Sequence, residues 1–199
     1  MKNTVLVLLV ALAGVAFTPV AHAEPGVMES NHFVSFGLGG GVSVPVSDAK
    51  DAFKTGFNGM GFARLNLKGL PITPRVDFTF SRFDVNSARI ATPGVTGTGQ
   101  LLAGLASLQF FLLPGPVRPY LIAGVGAYNF KTDVSGIPNA QSTSATKLGV
   151  NGGGGVVVKL GSVVSAYVEG RLDNVFDDKT GFVNAKNIQV VPVTFGIVF

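Results

Sequence analysis

Cysteine and tryptophan are both missing from the 199 residues, and charge is scarce, with Asp, Glu, Lys and Arg making up 13%. Without cysteine there is no disulfide frame, no thiolate zinc site, no iron–sulfur cluster, no cysteine nucleophile and no lipid anchor on an N-terminal cysteine. The charged fraction is about half the ~25% of a soluble globular domain. The hydrophobic fraction, 47%, is far too high for a disordered chain. The net charge of +4 is spread thinly, so no basic stripe for nucleic acid forms. Beyond the N-terminal stretch, no apolar run reaches the ~20 residues that a spanning helix needs. What the sequence does have is glycine, at 27 residues, and phenylalanine, at 16.

Residues 1–23 read as a signal peptide. Lys2 supplies the positive end, Thr4 to Phe17 is apolar, Pro19 breaks the run, and Ala21-His22-Ala23 is a small-x-small cleavage site before Glu24. Export with cleavage after Ala23 is expected, leaving a short periplasmic segment, 24–31, ahead of a domain over 32–199. His32 is then the one mature histidine.

Within 32–199 apolar residues alternate with polar or small ones, the period of strands. Eight segments stand out: His32–Val44, Gly56–Lys68, Ile72–Phe83, Gln100–Leu113, Arg118–Phe130, Lys147–Lys159, Val163–Phe176 and Ile188–Phe199. Most run to about 12 residues, longer than the ~5–6 of a globular strand and enough for the ~9–11 of a tilted membrane strand. Tight connections at Gly69-Leu70-Pro71, Pro114 to Val117 and Leu160-Gly161-Ser162 alternate with four longer ones rich in Ser, Thr, Asn, Asp and Gly. Turns on one side and loops on the other suit an outer-membrane barrel, turns periplasmic and loops extracellular.

The two faces of the second, third, fourth, seventh and eighth segments differ in kind. Aligned on its most apolar phase, one face carries Phe57, Leu65, Val76, Phe78, Phe80, Leu102, Leu108, Val168, Leu172, Val193 and Phe195, and no charged or polar residue. The other carries Arg64, Arg75, Asp77, Glu169, Arg171 and Asp173, with Asn58, Asn66, Thr79, Ser81, Ser107, Gln109, Ser165 and Tyr167. A soluble barrel turns its apolar face inward. Here the charges go inward, as lipid surroundings demand. The fold class expected is all-β, an eight-stranded antiparallel transmembrane barrel. Pro192 lacks a ladder donor, so a bulge or strand-end irregularity is expected there. The glycines are expected to let the barrel bend and to make room for large neighbouring side chains. Neither Gly37–Gly41 nor Gly152–Gly155 has the Gly-Lys-Ser/Thr ending of a phosphate loop.

The terminal Thr194-Phe195-Gly196-Ile197-Val198-Phe199 resembles the sorting signal read by the barrel assembly machinery, with Phe195, Ile197 and Phe199 as its outward residues. Pro119 to Tyr128 (Pro-Tyr-Leu-Ile-Ala-Gly-Val-Gly-Ala-Tyr) and Tyr167-Val168-Glu169-Gly170-Arg171 resemble the mid-barrel motifs of the OmpA-like and opacity-protein-like eight-stranded family. The resemblance implies a Gram-negative outer membrane and contact with its lipids and lipopolysaccharide. It implies a barrel-only member, with no peptidoglycan-binding domain after Phe199, and a monomer.

Arg64, Arg75, Asp77, Glu169, Arg171 and Asp173 form the one chemical constellation. In a lumen just wide enough to be filled by side chains they should pair, because unpaired charges there are costly. The reading chosen is a scaffold with a plugged, salt-bridged lumen that meets an extracellular ligand through its loops. The alternatives are a narrow channel for small or hydrophobic solutes and, behind it, a lipid-modifying enzyme. No catalytic, cofactor or metal residue is assigned. His32 stands alone at the periplasmic start of the first strand, and Asp173 to Thr180 lacks the spacing of a calcium loop. Tyr120, Tyr128 and Phe130 read as aromatic girdle or lumen packing.

Overall fold

Alternation of small or polar residues with large apolar ones carries each segment into a strand whose two faces meet different surroundings. The structure, a computed structural model, describes residues 33–46, 53–67, 69–84, 96–135, 143–176 and 187–199. The expected signal peptide and periplasmic segment, 1–31, together with His32 and Asp177 to Thr180, lie outside the described residues. The strands are β1 (Val34–Val46), β2 (Gly56–Leu65), β3 (Ile72–Asp84), β4 (Thr96–Phe111), β5 (Val117–Ser135), β6 (Thr143–Lys159), β7 (Ser165–Phe176) and β8 (Asn187–Val198). Each pairs antiparallel with the next, and β1 pairs with β8, closing the barrel without an edge. Among the described residues no helix occurs.

The expected elements are all present, with three differences. First, β4, β5 and β6 run on past their expected starts or ends, to Thr96, Ser135 and Thr143. Their extensions are polar, and pairing decides their conformation where composition alone reads as loop. Second, Pro192 produces no shift of register. The β7–β8 ladder passes from Gly170↔Val193 to Asp173↔Val190 in unchanged register, and only the pairing opposite Pro192 and Val191 lapses. Third, the lumen is less polar than the strand patterns suggested. Two apolar clusters lie inside, one of Phe83, Leu101, Ala103, Leu105, Tyr128, Val175 and Val190, the other including Met60, Phe62, Phe111, Tyr120 and Tyr167.

Large inner rings are seated against glycines of the neighbouring strand. A Cβ on Gly155 would come within 2.6 Å of the Tyr120 hydroxyl, so the β6 glycine is what lets that ring lie flat on the wall. At the tight turn between β4 and β5, Gly115 has φ of 121°, a conformation that a side chain disfavours.

The outer face is apolar over a limited height. From Leu102 to Phe110 every second residue of β4 points outward and is exposed, and Leu112 just past its end is exposed as well. At ~3.3 Å per residue and ~40° tilt this climbs about 25 Å, the height of a membrane barrel's apolar band. Toward the loop end the same face turns polar, at Arg82, Gln100, Asn129, Thr146, Asn174 and Gln189. Neighbours in this collar bond across strands: the Asn129 amide donates to Thr146 Oγ1 at 2.8 Å, and Gln189 to Asn174 at 3.3 Å.

Candidate functional site

Two i, i+2 pairs meet across the lumen. Alternation in β3 turns Arg75 and Asp77 inward, and in β7 it turns Glu169 and Arg171 inward. In the closed order of eight strands, β3 and β7 are half the circumference apart, so a contact between them spans the barrel. Arg75 Nη1 donates to Glu169 Oε2 at 2.8 Å, and Arg171 Nη2 donates to Asp77 Oδ1 at 2.9 Å. Each arginine also meets the acid of its own strand: Arg171 Nε bonds Glu169 Oε1 at 2.6 Å, and Arg75 Nε lies 2.6 Å from Asp77 Oδ1. The latter is a charge contact without hydrogen-bond alignment, since this Nε makes no hydrogen bond. All four side chains are at most 3% exposed.

Two positive and two negative groups thus form a closed, neutral ring. Neighbours occupy the remaining lone pairs. The Tyr120 hydroxyl donates to Glu169 Oε2 at 2.6 Å, and Ser107 Oγ donates to Asp77 Oδ2 at 2.8 Å. The Arg75 guanidinium lies over the Phe62 ring, 3.4 Å from its centre. Beside the ring, a cavity lined by Asn58, Met60, Thr79 and Leu105, among others, leaves about 10 Å³ for water centres, room for about one molecule.

The remaining two charges of the expected constellation stand apart. Asp173 is reached by Tyr128, whose hydroxyl donates to Oδ1 at 3.3 Å. Arg64 pairs in register with Arg75 but turns toward Phe111, 5.7 Å from the ring centre. Alternation places all six on the inner face. Asp173 lies two positions beyond Arg171 on β7, and Arg64, though opposite Arg75 in register, turns away to Phe111, so these two stand outside the ring of four. Tyr120 and Ser107 complete the ring's bonding. Ser107 shows in the alternation of β4, whereas Tyr120 emerges only once β5 is phased by its pairing with β4 and β6. Tyr120 and Tyr128 are buried in the lumen, at 2% and 1% exposure.

Nearer the loop end the lumen is capped by rings. Phe53, between β1 and β2, packs edge-on against Phe130 at 5.4 Å and tilted against Phe83 at 6.1 Å. Among the described residues no group of three His, Cys, Asp or Glu side chains gathers as a metal site. Phe195, Ile197 and Phe199 all point outward and are exposed. Phe199 exchanges backbone hydrogen bonds of 2.9 Å with Phe36 of β1.

Comparison with known proteins agrees with this architecture. The family model described as "Outer membrane protein beta-barrel domain" matches residues 7–197. Neisserial surface protein A superposes with a TM-score of 0.62 at 16% identity, over 84% of this chain and 96% of its own. A major outer membrane protein from Thermus thermophilus gives 0.59 at 15% identity, over 84% and 99%. No curated protein matches the chain significantly.

Proposed function

The chain belongs to the outer membrane protein β-barrel family, resides in the outer membrane, and, we propose, serves there as a structural or surface-interaction scaffold with a closed lumen. The observation that carries this reading is the neutral ring of Arg75, Asp77, Glu169 and Arg171, which spans the barrel with each guanidinium in contact with both carboxylates. An ion would have to displace these pairs and part with its own water to pass, a step that costs several kcal/mol per charge in a low-dielectric enclosure. The aromatic cap around Phe53 adds a second, apolar obstacle.

In this reading the barrel is non-enzymatic and monomeric. Its turns face the periplasm, and its loops and the polar outer collar meet lipopolysaccharide and an extracellular ligand. Residues 1–23 direct export and are removed after Ala23, and Phe195, Ile197 and Phe199 present the assembly signal to the barrel assembly machinery. Conductance across a planar bilayer tests the lumen directly. The folded protein is expected to stay near background. Steady single-channel currents, altered in ion selectivity by Glu169→Gln, would replace this reading by that of a narrow channel.

A further inference from the structure

Just below the neutral ring, toward the periplasm, two arginines have no acid to balance them. Arg64 is 7% exposed, yet its Nε and Nη1 have no hydrogen-bond partner. Arg118, half-buried at the start of β5, has a buried and unpartnered Nε. Both address one ring: the guanidinium carbons of Arg118 and Arg64 lie 3.9 and 5.7 Å from the centre of Phe111. Among the described residues, no carboxylate is within ion-pair distance of either. Gln109, two positions before Phe111 on the same inner face, is 1% exposed with both amide atoms unpartnered.

This is the reverse of the economy one layer above, where each guanidinium is matched by carboxylates. An aromatic ring attracts a guanidinium by its flat face and leaves the N–H edge available. Two like charges gathered on a single ring repel each other, and in a partly dry setting that repulsion is poorly screened. A bound anion would relieve it. A carboxylate brings one negative charge for two guanidiniums. A phosphate carries about one as a diester and between about one and two as the free ion at neutral pH, and either form has oxygens enough to accept from both forks and from an amide.

We propose that Arg64, Arg118 and Gln109 form a binding site for a phosphate-class oxyanion at the periplasmic mouth of the lumen, with Phe111 as the platform that holds both guanidiniums. The site does not depend on whether the lumen conducts. The phosphate can come from solution or from a phospholipid headgroup at the periplasmic leaflet.

The test is calorimetric titration of inorganic phosphate into the refolded full-length protein in maltoside micelles, at constant ionic strength in chloride. Saturable binding is expected, weakened about tenfold or more in Arg118→Gln, as loss of a charged donor implies. Arg118 is half-exposed, so this variant should fold, which heat-dependent gel mobility verifies. Arg118→Lys, which keeps the charge and loses the fork, should be weakened in the same direction. The source is separated in nanodiscs: phosphatidylglycerol suppressing a phosphate titration that phosphatidylcholine permits identifies the headgroup, and equal titration in both identifies soluble phosphate. No saturable phosphate binding in micelles, or binding unchanged in both Arg118 variants, overturns the proposal.

Discussion

Glu169 accepts from Arg75, Arg171 and Tyr120 at 2.8, 2.6 and 2.6 Å, and everything around it is arranged for a charged carboxylate. Replacing it by glutamine keeps the shape and removes the charge, leaving two buried guanidiniums against one aspartate. Breaking a buried pair in this way costs about 3–5 kcal/mol. Tyr120→Phe deletes only one donor to a charged group, a loss of about 1.5–3 kcal/mol. In urea titrations of the detergent-folded protein, Glu169→Gln should therefore shift the midpoint further than Tyr120→Phe. The opposite order would mean that water reaches the carboxylate and screens it. Charge-bearing residues as such were legible from the i, i+2 spacing of Arg75 with Asp77 and Glu169 with Arg171. Their partners were not: Arg75 and Glu169 are 94 positions apart, and only barrel closure puts β3 opposite β7.

A strand of this barrel has to satisfy lipid on one side and a crowded lumen on the other, and β3 shows both in consecutive residues. Asp77 is wholly buried while Phe78 is 66% exposed. β7 repeats the pattern with Glu169 inside and Val168 half-exposed on the outside. Arginine at Phe78 or Val168 should destabilise the barrel by ~2–4 kcal/mol, the cost of a cation near the midplane. Ser162→Arg, in the tight turn between β6 and β7, should be nearly neutral. Reversible unfolding in lipid vesicles measures all three, and similar losses at the turn and on the strands would place the bilayer elsewhere. Strand phase could be read from sequence wherever one face was uniformly apolar, as in β2, β3, β4 and β7. It was hidden in β6, where Gly152-Gly153-Gly154-Gly155 has no side chains to alternate. The polar ends of β4, β5 and β6 resembled loops for a related reason: above the lipid, a paired strand has no need of apolar residues on its outer face.

Along its axis the molecule is layered, with an aromatic cap around Phe53, the neutral ring, and the Phe111 platform with its two arginines below. The sequence announced that the inner face is polar, but not how its groups are stacked. Arg64 and Arg75 look equivalent in an alternation pattern. Register places them directly opposite each other, Arg64↔Arg75, and it is their side chains that diverge, Arg75 toward Glu169 and Arg64 toward Phe111. Inner packing was likewise partly visible: the three tyrosines lie at alternating positions, yet the glycines that seat them belong to other strands.

Closure between β1 and β8 is the one pairing that joins strands distant in the chain, as with Gly37↔Val198; every other pairing is between consecutive strands. Loop-closure entropy and contact order therefore concentrate at a single seam. The position of that seam is a matter of where the chain is cut. Because Phe199 is bonded to Phe36, a short linker from Phe199 to Phe33 would join the two strands without strain, and new termini could be opened at Pro114–Pro116. Such a circular permutant keeps all eight strand pairings and moves the seam to β4–β5. It should refold in detergent much as the parent does, yet Phe195, Ile197 and Phe199 would no longer end the chain. If these residues act as an address for assembly, the permutant will fold in the test tube and fail to insert in cells; equal insertion of both forms would show that the address is read from the strand itself and not from its place at the end.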